Sequence, residues 1–361
     1  MKINAIIKTT FQFPPVLCIF VFFSILLSSL PATAQESVMF SGVDTLVDKA
    51  AVLFYQKKYQ EALQLSEDVI KAHPDNPLGY LGQAGIYHLL MLNYRVRLFE
   101  NEFDSVTTLA IKTGEKAIKQ NKNDANGYFV LGASYGFRGL NRIRQGKWFR
   151  AFRDGLRGIS KIKKAHELDK ELYDAYYALG LYYYWKSAKA KVLTFLRMMK
   201  DEREKGIEYL KIVTEKGRFS SEEAKFALVE IYYYEDRYEE ALLECEFLKS
   251  KFSSDPTWVY LIAKTLEKLH RWQPSKKYFT YLLQLLEESP YKSNSFFAEC
   301  HYEIAKCAFE MGEYKTAVRE LNLAFDFSKR WDKKKEIEGP LLDFDLVLKR
   351  MKKLNNQLEN R

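Results

Sequence analysis

Residues 174–183 read Asp174-Ala175-Tyr176-Tyr177-Ala178-Leu179-Gly180-Leu181-Tyr182-Tyr183, and this stretch decides the fold. Tyr176, Leu179 and Tyr183 are separated by three and four residues, which places them on one face of an α-helix. The same spacing recurs along the chain, whereas no stretch sustains the alternation of period two that is typical of a β-strand. The pattern therefore predicts an all-α protein.

The composition also favours helices joined by short turns. The 361 residues include only 17 glycines and 9 prolines, too few for the regular turns of a β-sandwich or barrel. No proline occurs in the 178 residues between Pro77 and Pro256, which favours uninterrupted helices. A hydrophobic content of 47% with a net charge of +9 is typical of a folded, mildly basic chain.

The N-terminus has the layout of a secretory signal. Residues 1–34 contain two lysines and no acidic residue, and residues 16–30 form an apolar run that is short for a membrane span. The run is followed by Ala32 and Ala34, the small residues that a signal peptidase requires. We expect cleavage near Ala34 and export to a periplasm. An uncleaved N-terminal anchor is the alternative. The rest of the sequence contains no transmembrane candidate.

A repeated unit organises the remaining chain. In residues 43–76, Ala50 stands at position 8, Tyr59 at position 17, Ala62 at position 20 and Pro74 at position 32. The same phase is kept in 222–255 by Tyr232, Tyr238 and Ala241, and in 298–331 by Ala305, Tyr314, Ala317 and Ala324. This pattern resembles the tetratricopeptide repeat (TPR), a helix–turn–helix unit of about 34 residues.

The resemblance implies an all-α, right-handed superhelical solenoid of about seven TPR-like helix–turn–helix units. The predicted segments are a signal peptide (1–34), a short lead (35–42), units at 43–76, 77–124, 125–172, 173–221, 222–255, 256–297 and 298–331, and a C-terminal amphipathic capping helix (332–361). In that last segment, residues 341–359 form the expected helix, with Leu341, Phe344, Leu348, Met351 and Leu358 on the last repeat.

The three middle units are longer than the family's repeat. They contain 48, 48 and 49 residues, and the surplus corresponds to about four helical turns in each unit. We predict long helical hairpins whose tips lie near Glu100, near Gly146 and near Asp201. Asp201 reads as a helix N-cap with Glu204 at N3. An irregular loop in each unit is the alternative.

The chain offers little material for catalysis. Cys245, Cys300 and Cys307 are expected to be small buried hydrophobes, and the histidines match no metal-binding spacing. We therefore expect no catalytic residue, no metal and no cofactor. An enzyme, such as a helical-ring glycan-cleaving protein, is a distant alternative.

The resemblance also implies a ligand groove. In the family, positions 5, 9, 12 and 13 of the first helix of each repeat line the groove. Three adjacent repeats carry aromatic residues there: Phe129, Phe137, Tyr177, Tyr184, Trp185, Phe226, Tyr233 and Tyr234. Eight exposed rings would bind a peptide or helix. In a tightly wound superhelix, they would instead pack on each other or on the long hairpins.

A second candidate surface is the basic hairpin, residues 138–164, which contains ten basic residues and a single acidic one. Its basic patch comprises Arg142, Arg144, Arg150, Arg153, Arg157 and Lys161. The apolar stripe of its second helix is expected to be buried: Trp148, Phe149, Phe152, Leu156, Ile159 and Ile162. Anionic lipid headgroups or an acidic partner would suit the patch, and a solvated face is the alternative.

These features favour a noncatalytic scaffold of the bacterial cell envelope that binds a protein or peptide partner in the aromatic groove. The alternative is peripheral binding to an anionic membrane surface or envelope polymer through the basic hairpin. A nucleic-acid partner is not expected for an exported protein.

Overall fold

A computed structural model describes residues 42–189, 200–251 and 254–360. The predicted signal peptide and all but the last residue of the predicted lead lie outside the described residues. Within them the helices, in chain order, are α1 (Asp44–Tyr55), α2 (Tyr59–Ala72), α3 (Pro77–Tyr94), α4 (Glu100–Gln120), α5 (Ala125–Arg144), α6 (Trp148–Leu168), α7 (Asp174–Lys189), α8 (Arg203–Lys216), α9 (Ser221–Tyr234), α10 (Tyr238–Lys251), α11 (Pro256–Lys268), α12 (Trp272–Glu288), α13 (Asn294–Glu310), α14 (Tyr314–Ser328) and α15 (Phe344–Glu359). The predicted all-α helical repeat solenoid is confirmed.

Consecutive helices pack against each other as hairpins. This holds for the pairs α1/α2, α5/α6, α7/α8, α11/α12 and α13/α14. Further contacts, between α4 and α5, α6 and α7, and α12 and α13, join neighbouring hairpins. Contacts of both kinds, within a hairpin and between neighbouring hairpins, are how helical repeats build a core.

The long hairpins are present in the second and third repeats. Helices α3 to α6 contain 18, 21, 20 and 21 residues, and their tips are the short turns at 95–99 and 145–147. Gly146 has a φ of 72°, the left-handed conformation that ends a helix at little cost in glycine. Helices therefore account for the extra residues of these two repeats.

The start of α8 differs by one residue from the prediction. Glu202, not Asp201, occupies the N-cap position, and its side chain makes no capping hydrogen bond. Asp201 accepts hydrogen bonds from the backbone N–H of Arg203 at 3.1 Å and from its guanidinium at 2.8 Å.

The described helices divide into two compact lobes. The first lobe contains residues 42–89 and Phe99–Tyr232, and the second lobe contains Leu90–Leu98 and residues 233–360. The segment Leu90–Leu98 thus packs with residues far from it in the chain. Asn93, for example, donates a hydrogen bond to Asp255 at 2.7 Å.

Glycines bring the paired helices into close contact in the first lobe. A Cβ atom at Gly158 of α6 would lie 2.9 Å from the carbonyl oxygen of Gly132 on α5. A Cβ atom at Gly206 of α8 would lie 2.6 Å from the carbonyl oxygen of Gly180 on α7. Gly132 and Gly180 stand at position 8 of their repeats, where the family's pattern has a small residue.

The C-terminal helix α15 covers the last repeat. Phe344, Val347, Met351 and Leu354 of α15 form one buried cluster with Ala298, Tyr302 and Ala305 of α13 and Leu321 and Ala324 of α14. Leu348 and Leu358 pack at its edge. Leu341 precedes the helix, which begins three residues later than predicted. A helix with one apolar face covers the open end of a repeat stack in this way.

None of the helices in the described part of the chain combines the length and the apolar character that crossing a membrane requires.

Candidate partner-binding surfaces

The eight aromatic residues predicted to line a groove are mostly inaccessible. Six of them are buried, namely Phe129, Phe137, Tyr177, Tyr184, Trp185 and Phe226. The expectation that these six rings are exposed to a ligand is therefore wrong. Only Tyr233, which is mostly buried, and Tyr234, which is 37% exposed, reach the surface.

Phe137 and Tyr184 show how these rings are buried. The Phe137 ring lies 5.3 Å from the imidazole of His88 on α3 and 5.9 Å from the ring of Phe103 on α4. Tyr184 packs edge-on against Trp185 at 5.0 Å, and its Cβ lies beside Gly206. These rings stabilise the fold and are not available to a partner.

The exposed remainder of the predicted groove lies in the second lobe. We call Tyr233, Tyr234, Tyr238 and Lys268 the tyrosine–lysine cluster. The Tyr233 and Tyr238 rings are 5.4 Å apart, and the Lys268 ammonium lies 5.6 Å and 5.5 Å from their respective centres. This arrangement allows a cation–π contact with either ring.

Lys268 retains its hydrogen-bonding capacity for a ligand. Within the described residues it forms no ion pair. Burial lowers the pKa of Lys268, and the nearby positive charges of Lys264, Arg350 and Lys306 lower it further, against the opposing effect of Glu267. A carboxylate from a partner would therefore relieve repulsion among these cations as well as bind Lys268.

Two other lysines, Lys264 and Lys306 at position 9 of the sixth and seventh repeats, are already engaged in ion pairs. Lys264 is fully buried and forms ion pairs with Glu267 and with Glu303, the latter at 2.6 Å. Lys306 also pairs with Glu267. Burial opposes the ionisation of Glu267, but the positive charges of Lys264 and Lys306 lower the pKa of Glu267 to about 2. Burial and the neighbouring Glu267 carboxylate raise the pKa of Glu303 to about 7.

A buried arginine in the second lobe was not anticipated from the sequence. Arg95 pairs with Glu299 at 2.5 Å, and its guanidinium lies over the Phe296 ring at 3.7 Å and over the Tyr260 ring at 4.6 Å. The Tyr260 hydroxyl donates to the same carboxylate at 2.6 Å. Arg95 has a φ of 52° at a hairpin tip, and no local sequence pattern distinguishes it from a solvated arginine.

Part of the predicted basic patch is used inside the first lobe. Arg138 and Arg142 both bind the fully buried carboxylate of Asp154, Arg138 at 2.9 Å. Arg144 contacts Nδ1 of His88 at 2.9 Å, and burial, with the positive charge of Arg144, holds the pKa of His88 well below its usual value. Arg142 and Arg144 are therefore structural.

The rest of the basic patch lies along α6 at the surface. Arg150, Arg153 and Arg157 are exposed, and Lys161 is partly exposed. Two of the four lie near aromatic rings: Arg157 lies 5.8 Å from the centre of the Tyr135 ring, and Lys161 lies 5.6 Å from that of Tyr128.

The apolar stripe predicted to be buried on α6 faces outward instead. Phe149 is 94% exposed, Phe152 68%, Leu156 51% and Trp148 49%. Of the six predicted residues only Ile162 is buried, and Ile159 is intermediate. The buried face comprises Ala151, Asp154, Gly158, Ile162 and Ala165. Small residues at the contact with α5 allow closer packing than rings would, and the buried Asp154 carboxylate satisfies two arginines there.

The three described cysteines are not accessible at the surface. Cys245, Cys300 and Cys307 are free and buried, and burial raises the pKa of each thiol. In the described ranges no group of three or more His, Cys, Asp or Glu side chains is placed to hold a metal ion.

Comparisons with known proteins relate the chain to solved structures only. No known family matches it, and no curated protein sequence resembles it. One similar structure is the APC/C hetero-tetramer Cut9–Hcn1, with a TM-score of 0.52 and 12% identity, covering 82% of this chain and 48% of the other. The chain thus spans about half the length of that protein.

Two further structures are named as TPR proteins. YrrB, "a TPR protein with an unusual peptide-binding site", gives a TM-score of 0.41 and 16% identity over 59% of this chain and 91% of its own. TTC0263, a thermophilic TPR protein of Thermus thermophilus, gives a TM-score of 0.36 and 19% identity over 67% of this chain and 100% of its own.

The chain has the tetratricopeptide repeat fold. At these identities the likeness extends to the fold alone.

Proposed function

We propose that this TPR protein is a noncatalytic scaffold that holds a segment of a partner protein. The observation that carries this proposal is the tyrosine–lysine cluster. Tyr233 and Tyr234 stand at groove positions 12 and 13 of the fifth repeat, and Lys268 stands at position 13 of the sixth. These are positions at which TPR proteins contact their ligands.

The chemistry of the cluster defines the kind of partner. Tyrosine rings offer a large apolar contact area and lose little conformational entropy on binding, which is why they concentrate binding energy in interfaces. Lys268 stands beside them with its ammonium free to donate to a carboxylate. The partner segment would therefore present an apolar or aromatic side chain next to an acidic one.

The scaffold would act in the cell envelope. This part of the proposal rests on the predicted secretory signal at residues 1–34, with its apolar run at 16–30 and the cleavage site near Ala34. Sequencing the N-terminus of the protein recovered from a periplasmic extract would test both export and cleavage.

The test of partner binding compares variants at the cluster with matched variants on α12 of the same lobe. Tagged wild-type protein, Tyr234→Ala and Lys268→Gln are crosslinked in cells and recovered with their partners. Tyr281→Ala and Lys277→Gln are the controls, because they change the same residue types on the second helix of the sixth repeat.

We expect the yield of the main partner to fall about tenfold or more for the two cluster variants, as for residues that dominate an interface. The controls should retain the wild-type yield, and thermal unfolding should show that all four variants fold. Equal recovery of the same partners with Tyr234→Ala and Lys268→Gln would refute the cluster as the binding surface.

A further inference from the structure

The first half of α6 carries an apolar ridge, which we define as Trp148, Phe149, Phe152 and Leu156. These side chains occupy one side of the helix over about two and a half turns, a length of about 12–14 Å. An exposure of 94% means that Phe149 makes almost no contact with its own protein. A large apolar surface of this kind usually marks an interaction site.

The fold holds the ridge outward. Gly158 lies against the backbone of Gly132, and Ala151 and Asp154 lie beside Gly139, so the opposite face of α6 is bound to α5. Rotating the ridge into the lobe would break the bonds from Arg138 and Arg142 to Asp154. The exposure of the ridge is therefore a property of the packed hairpin.

A basic strip runs beside the ridge. It consists of Arg150, Arg153, Arg157 and Lys161, which follow each other at three- and four-residue spacing on the flank of the same helix. Among the described residues, none of these four cations has a carboxylate within ion-pairing distance. Asp154, the only acidic residue within 138–164, lies on the buried face.

We propose that α6 docks the protein on an anionic lipid bilayer. The ridge would enter the boundary between headgroups and acyl chains, and the basic strip would bind the headgroup phosphates. A helix with aromatic and aliphatic residues on one side and arginines beside them has the composition of an interfacial membrane helix. Arginine binds phosphate oxygens through its planar, multidentate fork.

The shape of the surface favours a bilayer over a protein partner. Phe149 and Phe152 project from a single convex helix, and a protein would need a preformed pocket for each of them. A fluid bilayer accepts projecting rings at the interface without such a pocket, and its anionic headgroups match the charge of the strip. This inference concerns the first lobe and stands apart from the tyrosine–lysine cluster of the second.

The test measures binding to vesicles by flotation. The chain is used in the form that cells produce, with its N-terminus determined by mass spectrometry. Vesicles contain phosphatidylcholine alone or with 30 mol% phosphatidylglycerol, a composition of about one anionic lipid in three that is sufficient for such electrostatic binding. The readout is the affinity for anionic vesicles divided by the affinity for neutral vesicles. A retained N-terminal apolar run would bind both kinds of vesicle and would therefore cancel in this ratio.

Two variants test the two parts of the surface. Arg150→Glu/Arg153→Glu/Arg157→Glu should lower the affinity for anionic vesicles about 50-fold or more, since each basic residue near an anionic surface strengthens binding by about fivefold. Phe149→Ser/Phe152→Ser should lower it by about tenfold or more. Both sets of residues are exposed, so thermal unfolding should remain as in the wild type.

Matched controls make the same changes of charge and polarity outside α6, so that an effect specific to α6 can be recognised. Lys112→Glu/Lys119→Glu/Lys122→Glu makes the same change in net charge at exposed positions of the second repeat and the turn after it. Leu109→Ser/Val52→Ser removes two other exposed apolar side chains of the first lobe. Both controls should bind anionic vesicles within about twofold of the wild type, since surface changes outside an interface have little effect.

Three results would overturn the proposal. One is an equal affinity of the α6 variants and their controls for anionic vesicles. The second is a photocrosslinker at position 149 that captures a protein, and no lipid, in cells. The third is a dimer that dissociates in the Phe149→Ser/Phe152→Ser variant, because the ridge would then bind a second copy of the chain.

Discussion

At the scale of single residues, the charged side chains with the largest structural effect are those that the fold removes from water. Asp154 is the one acidic residue in a basic hairpin, and on sequence alone it is a minor correction to the charge of that segment. In the first lobe it is fully buried and holds Arg138 and Arg142. Each of the three groups depends on the others for its stability, because removing one of them leaves an uncompensated charge in the protein interior.

Asp154→Asn tests this dependence. The amide keeps the shape of the carboxyl group but leaves two arginines without a counter-charge, so the free energy of unfolding should fall by about 2–4 kcal/mol. Asp169→Asn, an exposed change in the turn after α6, should alter it by less than about 0.5 kcal/mol. Denaturant unfolding measures both, and equal stabilities of the two variants would contradict the structural role of Asp154.

At the scale of helices, a few glycines determine which face of α6 is buried. The apolar residues of this helix suggested one face, but Ala151, Gly158 and Ala165 are buried on another face, where Ala151 and Gly158 contact α5. Close backbone approach brings van der Waals contacts and lets Arg138 and Arg142 of α5 reach Asp154. The position of the small residues, more than that of the large ones, therefore decides how this hairpin packs.

Gly158→Ala and Gly155→Ala form a matched pair on α6. A methyl group at Gly158 would meet backbone atoms at 2.9 Å, whereas one at Gly155 would meet nothing within 4 Å. We expect Gly158→Ala to destabilise the protein by about 1–3 kcal/mol through overpacking. Gly155→Ala should stabilise it by about 0.5–1 kcal/mol through helix propensity. Thermal unfolding of both variants measures the sign of the change in stability. A change of the same sign in both variants would refute the close contact of Gly158 with α5.

At the scale of the whole molecule, repeats that are distant in the chain contact each other within each lobe. In the first lobe Arg218, which follows the fourth repeat's second helix, binds Asp44 of the first repeat at 2.7 Å. In the second lobe Arg95 binds Glu299 across 204 residues. An ideal repeat solenoid has contacts between neighbours only, so these contacts are additional to the repeat pattern.

The contact around Arg218 predicts a pH dependence of stability. Burial raises the pKa of Asp48 to about 6, with Arg218 opposing the rise and Asp44 adding to it. The protonated Asp48 carboxyl is therefore favoured in the folded chain relative to the unfolded chain. Its stabilising contribution is fully present below about pH 4 and is lost as pH increases from about 4 to 6. At higher pH Asp48 is ionised in both states, and its effect on stability no longer changes with pH.

Asp48→Asn removes this titration. Relative to the wild type, the variant should gain about 1 kcal/mol of unfolding free energy between pH 4 and pH 8, a value reduced by solvent screening of a partly exposed group. Asp68→Asn, on the exposed face of α2, should show no such change with pH. A constant difference between Asp48→Asn and the wild type across this range would rule out the raised pKa.

The sequence by itself determined the helices, the long hairpins of the second and third repeats, and the repeat class. These features depend on local properties: the three–four spacing of apolar residues, the scarcity of proline and glycine, and the small residues at position 8. Gly146 at a tip and the apolar face of α15 were recognised for the same reason. Such signals act over one or two helical turns and are visible in any stretch such as 174–183.

Only the tertiary structure decided which side chains remain accessible. Phe137 is buried because α3 and α4 bring His88 and Phe103 against it, and Phe149 is exposed because Gly158 turns the other face of α6 towards α5. Burial depends on contacts between segments that are tens to hundreds of residues apart, and helical periodicity carries no information about them. The rings that a partner or a membrane could contact, such as Phe149 on α6 and Tyr234 at the end of α9, are therefore those that packing left exposed.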